Sequence, residues 1–251
     1  MFALHVKLRL VVRGSQSRTG LSLIEFLGVA ALIVVLVAFL LPPVTRGSRP
    51  AARRTQCKNN LKQIGLALHN YADHYGAFPP AYTVDAKGRP LHSWRTLLLP
   101  YLDQVPLYET IDLSKPWDNP ANAEAFKTNI AAYRCPSSTA PAGQTTYMAL
   151  VASEGAFRPA ESRRISDFTD GTSNTLMVIE VDAEHAVHWM SPVDADESLV
   201  LGFGPKSKLL HTGGTHVLLA DGAVRFLSQE LSADIRRALI TIAGNDQVGE
   251  F

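Results

Sequence analysis

The sequence predicts an α+β protein, in which a long N-terminal helix, broken near residues 42–50, packs on a mainly antiparallel β-sheet domain. Three observations predict it. An uninterrupted apolar run follows a basic leader. Apolar residues then recur at spacings of three and four as far as Tyr75. Beyond residue 76, short apolar runs alternate with turn signals, the clearest being Asp221 and Gly222 between two such runs. The 251 residues, 46% of them apolar, suit one domain with an N-terminal appendage, since domains run ~100–200 residues.

Residues 1–20 hold Lys7, Arg9, Arg13 and Arg18 and no acid. Without them 20 basic and 23 acidic residues remain, a net of −3, which offers no electrostatic footprint for nucleic acid. From Phe26 to Leu41 every residue is apolar or glycine, and back to Leu21 the one charge is Glu25. About 20 apolar residues cross a bilayer as a helix, which satisfies its own backbone groups in lipid. An ordinary signal peptide or signal anchor is the simpler alternative. Against it, the run ends in Phe39, Leu40, Leu41, Pro42 and Pro43 with no small-x-small cleavage site. A carboxylate inside an apolar span is also costly and usually functional. Arg46, Arg49, Arg53 and Arg54 flank the far end of the run, so charge counting alone does not orient it.

Arg18, Thr19 and Gly20, then Leu21, Ser22, Leu23, Ile24 and Glu25, then the apolar run, form an order that resembles the type IV prepilin processing motif of pilins and type II secretion pseudopilins. The resemblance implies that a prepilin peptidase cuts after Gly20 on the cytoplasmic side and methylates Leu21. It implies further that the apolar segment stays as the assembly helix, that Glu25 acts in assembly and that Pro42 marks a kink. Phenylalanine is commoner in that family where this chain has Leu21. The implied organisation is a leader over 1–20, a transmembrane assembly helix over 21–43, an amphipathic continuation over 44–75 and an exported domain over 76–251. The chain would then be a single-pass inner-membrane protein with its C-terminal domain in the periplasm or at the cell surface. Its expected partners are prepilin peptidase, like or related pilin-type subunits, and membrane lipid.

Cys57, Leu61, Ile64, Leu68, Tyr71 and Tyr75 define one face of an amphipathic helix, with Lys58, Asn59, Lys62 and Asn70 off it. A continuous helix from Leu21 to Tyr75 would run ~80 Å. Pro42, Pro43, Gly47 and Pro50 argue for a kink or break. Further along, Trp94 to Leu102 reads as a helix continuing toward Tyr108, and Thr175 to Val181 as a buried strand. Thr215–Ala220 and Ala223–Leu227 read as a hairpin about Asp221 and Gly222. Ser232 caps a final helix with Ile235, Leu239 and Ile242 on one face and Gly244 at its end. Residues 182–208 lack periodicity and read as loop.

The phrases RRTQCKNNLKQIGLALHNY (53–71), SWRTLLLPYLDQ (93–104), PWDNPAN (116–122), YRCPS (133–137), DGTSNTLMVIE (170–180) and HTGGTHVLLADGAVRFLS (211–228) are similar to a large bacterial family. It is the domain-of-unknown-function family numbered fifteen fifty-nine, also labelled solute-binding-like, whose members typically begin with the prepilin motif. The segment VTRGSRP (44–50) departs from the smoother helix-forming stretch usual there.

His185 and His188, at i and i+3, and later His211 and His216, are metal-capable side chains, but no HExxH pattern accompanies them, and loop histidines are expected. Asp170 and Asp221, each before a glycine, are calcium candidates without EF-hand spacing, and turn chemistry accounts for both. The glycines after His211 form a turn feeding a strand, and Ser173 lacks an assignable triad. Arg53, Arg54, Lys58 and Lys62 read either as a lipid-headgroup contact or as a solvated face. Cys57 and Cys135 are too few for a disulfide scaffold and lack metal-site spacing. Since the prepilin resemblance places both outside the cytoplasm, they are expected to pair, the alternative being two buried free thiols. The expected function is a structural, pilin-like subunit without catalytic centre or cofactor. The alternative is a membrane-tethered module that binds a solute or glycan.

Overall fold

The computed structural model describes residues 22–40 and 48–244. They fall into two units, divided between the first helix and the second. In the first unit α1 spans Leu23–Leu40. Ser22 and Glu25 close its N-terminus as a capping box: the Ser22 N–H and hydroxyl donate to Glu25 Oε2 at 2.8 and 3.0 Å, and the Glu25 N–H points back to Ser22 Oγ at 3.4 Å. From Leu23 to Val37 its side chains, Glu25 apart, are apolar around the circumference and mostly exposed, Ile24 to 81% and Val34 to 67%. Among the described residues no helix is long and apolar enough to cross a membrane. The 18 residues of α1 reach ~27 Å, against a hydrocarbon layer of ~30 Å. Residues 41–47, with the expected kink at Pro42, lie outside the described residues, as do Gly20 and Leu21.

The second unit opens with α2 (Ser48–Tyr75), which carries Pro50 in its first turn, where a missing N–H costs nothing. Cys57, Leu61, Ile64 and Leu68 are fully buried, and Lys58, Asn59, Lys62 and Asn70 are exposed. The expected face stops short of its last member. Tyr75 is 61% exposed and stacks on His74 at the helix end rather than entering the core.

After the hairpin β1 (Tyr82–Val84) and β2 (Pro90–Ser93), the helix expected from Trp94 to Leu102 and on toward Tyr108 is three pieces. These are α3 (Trp94–Leu97), a 3-10 turn over Leu99–Leu102 and α4 (Val105–Glu109). Pro100 lacks the N–H a continuous helix needs, and Asp103 turns left-handed at φ 57°. Next come α5 (Ala123–Lys127), β3 (Gln144–Thr145), β4 (Tyr147–Ala149), β5 (Leu176–Glu180), β6 (Val187–His188), α6 (Glu197–Gly202), β7 (Gly214–Leu219), β8 (Val224–Ser228) and α7 (Ala233–Ala238). Residues 182–208 are therefore not all loop. They hold β6, paired with β3, and α6, whose N-cap Asp196 accepts from Leu199 N.

The main sheet is antiparallel in the order β4-β5-β7-β8. β7 and β8 form the expected hairpin, with Gly222 at φ +83° supplying the conformation its turn requires. Strand alternation gives the sheet two buried faces. Val178, Leu218 and Val224 join α2 and Trp94 in one core, while Ile179, Val217, Leu219 and Leu227 join Val200 and Leu239 in the other. The last helix stops at Ala238, not at Gly244. Leu239 O accepts from Leu176 N, and Ile242 exchanges backbone bonds with Glu154 and Asp170, so tertiary hydrogen bonds replace the next helical turn. Ser232 does cap it, its Oγ accepting from Ile235 N. Ser232→Ala should cost about 1 kcal/mol, read as a shift in the urea midpoint.

Candidate functional site

The register of the main sheet lays one row of side chains across all four strands beneath α2. Tyr147 lies opposite Glu180, and His216 opposite Phe226. The pairing that sets Ile179 opposite Val217 continues to put Glu180 beside His216. Alternation points Glu180 inward, on the same face as Val178. The result is a carboxylate buried in a strand that is buried at every position. Such a charge needs partners. His216 Nδ1 faces Glu180 Oε2 at 3.1 Å, and His211, from the loop before β7, brings Nε2 to 2.9 Å from the same oxygen. The His211 contact is close but poorly aligned, and neither His211 Nε2 nor Glu180 Oε1 has a hydrogen-bond partner. The Thr215 hydroxyl donates to the Glu180 carbonyl oxygen.

Above this row the Cys57–Cys135 disulfide joins α2 to the segment after the 3-10 turn Ala131–Tyr133, with Cα atoms 5.0 Å apart. Both cysteines are buried. Tyr147 donates its hydroxyl proton to Cys57 O at 3.2 Å. Burial, and then the nearby Glu180 carboxylate, push the Tyr147 hydroxyl well above its ordinary pKa. Burial alone would raise Glu180 as well, but His211 and His216 together outweigh it and hold the carboxyl below its usual range.

That direction fixes a pH dependence. A depressed carboxylate pKa contributes stability above the unfolded-state value, ~4.3 for glutamate, and loses it as pH falls through the folded value. Glu180→Gln should therefore cost about 1–3 kcal/mol at neutral pH. The gap between variant and wild type should narrow below about pH 4. Urea unfolding at both pH values checks this, and a gap that widens in acid would contradict it.

The other candidates lie elsewhere. His185 Nδ1 faces both oxygens of Asp182 at 2.9 Å. His188 stacks on Phe126 with ring centroids 4.0 Å apart and meets Phe126 O through Nε2. Asp221 accepts from Ala223 N within its turn, whereas Asp170 accepts from Gly244 N and so ties its loop to the chain after α7. Among the described residues the ligand-type side chains that converge are Cys57, Cys135, Glu180 and His211, and neither Asp170 nor Asp221 is with them. Ser173 sits exposed in the 3-10 turn Thr172–Asn174. Arg53, Arg54, Lys58 and Lys62 are exposed, and the Arg54 guanidinium stacks on Phe226 with its carbon 3.9 Å from the ring centroid. A cleft of about 460 Å³ opens beside them, lined by Arg53, Arg54, Ser137, His211 and Thr212.

His211 and His216 are thus not isolated loop histidines, because Glu180 joins them. Sequence reasoning missed Glu180. The available signal was an acid ending a run that reads as a fully buried strand, a position that demands a partner.

These features define an α+β domain built on one long helix and a four-stranded antiparallel sheet, preceded by a separate apolar helix. The family described as Protein of unknown function (DUF1559), SBP_bac_10, matches residues 46–150 and 138–200, more than half of the chain, and the chain belongs to that family. No curated protein and no solved structure matches it.

Proposed function

We propose that this protein is a pilin-like or pseudopilin-like structural subunit, processed after Gly20, held in the membrane by its N-terminal helix and assembling with like subunits through it. The observation that carries this reading is α1. A helix whose side chains, one glutamate apart, are apolar on every side finds its stable surroundings in a bilayer or a helical bundle, not in water. In sequence the apolar run continues through Leu21 and Leu41, which brings it to the ~20 residues a span requires. Glu25 is the one charge in that run. After a cut at Gly20, the new amino group of Leu21 in a neighbouring subunit would be its partner, and one axial stagger brings the two charges together.

The capping box is the competing role for Glu25, and glutamine can serve in it equally well. Glu25→Gln therefore separates charge from capping. It should leave membrane insertion and processing at Gly20 intact and reduce co-isolation with like subunits at least tenfold. If Glu25→Gln assembles as wild type does, the register role is wrong, and a tethered solute- or glycan-binding module becomes the better reading.

A further inference from the structure

We propose that opening the Cys57–Cys135 disulfide creates a four-ligand site for a soft divalent cation of the zinc class, made by Cys57 Sγ, Cys135 Sγ, His211 and Glu180. One ligand atom from each of the four lies within 4.8 Å of all the others, and every one of the four residues is buried. Two thiolates, one imidazole and one carboxylate are a donor set that zinc takes in tetrahedral geometry. The two protein groups that are not sulfur also have unspent capacity. Glu180 Oε1 and His211 Nε2 are buried without a well-aligned hydrogen-bond partner, so a cation there satisfies both and displaces only the 2.9 Å contact between His211 Nε2 and Glu180 Oε2. Once the S–S bond opens, the sulfurs need to separate only to about 3.8 Å, the edge of a tetrahedron with Zn–S bonds of ~2.3 Å.

The second shell is present too. His216 Nδ1 holds the other carboxylate oxygen of Glu180, the kind of outer hydrogen bond that orients a ligating carboxylate. The way in is the cleft lined by His211 and Ser137, whose Oγ lies 3.9 Å from Cys57 Sγ.

The chemistry balances with a dithiol reductant. Its two thiols transfer two electrons and two protons to the Sγ–Sγ bond and become a cyclic disulfide, leaving Cys57 and Cys135 as thiols. The divalent cation then displaces both thiol protons to water as the thiolates bind. In the oxidised protein the sulfurs are spent on each other and the set is incomplete, so redox state gates the site.

The test uses the full-length chain in detergent, oxidised or reduced with a dithiol and desalted without oxygen, titrated with Co²⁺ and then Zn²⁺. The reduced chain should bind one Co²⁺ with thiolate-to-cobalt charge-transfer absorption and the strong visible bands of a tetrahedral site, and Zn²⁺ should displace it. The oxidised chain should show neither band. His211→Ala and Cys135→Ser should each weaken Co²⁺ binding at least tenfold. Absence of the thiolate band in the reduced chain would overturn the site, and so would equal binding by the oxidised chain. An affinity indifferent to His211→Ala would reduce it to adventitious thiol binding. If reduction unfolds the domain, one equivalent of Zn²⁺ should restore its far-ultraviolet helix signal, because metal binding is then folding free energy; failure to restore it overturns the proposal as well.

Discussion

Arg95→Met should destabilise the domain by about 3–5 kcal/mol, the usual cost of leaving one half of a buried ion pair behind. Arg95 and its partner Asp194 are almost wholly inaccessible, with Arg95 Nη1 2.5 Å from Asp194 Oδ1. The remaining guanidinium hydrogens donate to the backbone carbonyls of Tyr147, Trp189, Ser191 and Val193. One side chain thus ties α3 to β4 and to the segment leading into α6, and methionine can replace its volume but none of its donors. With an m-value of ~2 kcal/mol/M, the urea midpoint should fall by about 2 M. Removing Asp194 as well should recover only part of the loss. Asp194 Oδ1 also accepts from Trp94 Nε1 and Ala149 N, and those donors would be orphaned in turn. A variant within 1 kcal/mol of wild type would show that the pair is dispensable.

Replacing both Cys57 and Cys135 by alanine should cost about 4 kcal/mol, since the bond closes a loop with a sequence separation of 78 in the unfolded chain. The loss should be local as well as global. The bond holds the N-terminal half of α2 against the Glu180 row, and Asn60 adds one good hydrogen bond there, to Arg134 O at 2.7 Å. Limited proteolysis of the variant should therefore cut first in residues 48–60, before the β7–β8 hairpin opens. Cleavage that begins in the hairpin would contradict this order.

Much of the second unit was legible in the sequence because its signals are strong over a few residues. The α2 stripe, the Asp221 and Gly222 hairpin and the Ser232 cap each rest on local periodicity or turn chemistry, and each has its element. The misses are where tertiary bonds decide. The 6-residue α6 is shorter than two helical turns, too brief for an apolar period to register, although Asp196 was a readable cap. Leu239 still closes the helix through its N–H on Ile235 O, but its carbonyl and both backbone groups of Ile242 bond to distant backbone. The site was legible only in halves. His211, His216, Cys57 and Cys135 each stood out as residue types, but their meeting at Glu180 depends on the register of β5 against β7 and on where α2 crosses the sheet.

The central claim, that the N-terminal helix is a processed assembly helix, is tested most directly by intact-mass and N-terminal peptide analysis of the protein extracted from membranes. The account predicts a chain that begins at Leu21, carries a methyl group on its amino nitrogen and keeps the whole apolar run. A chain that retains residues 1–20, or one cut beyond Leu41 and released from the membrane, would contradict it.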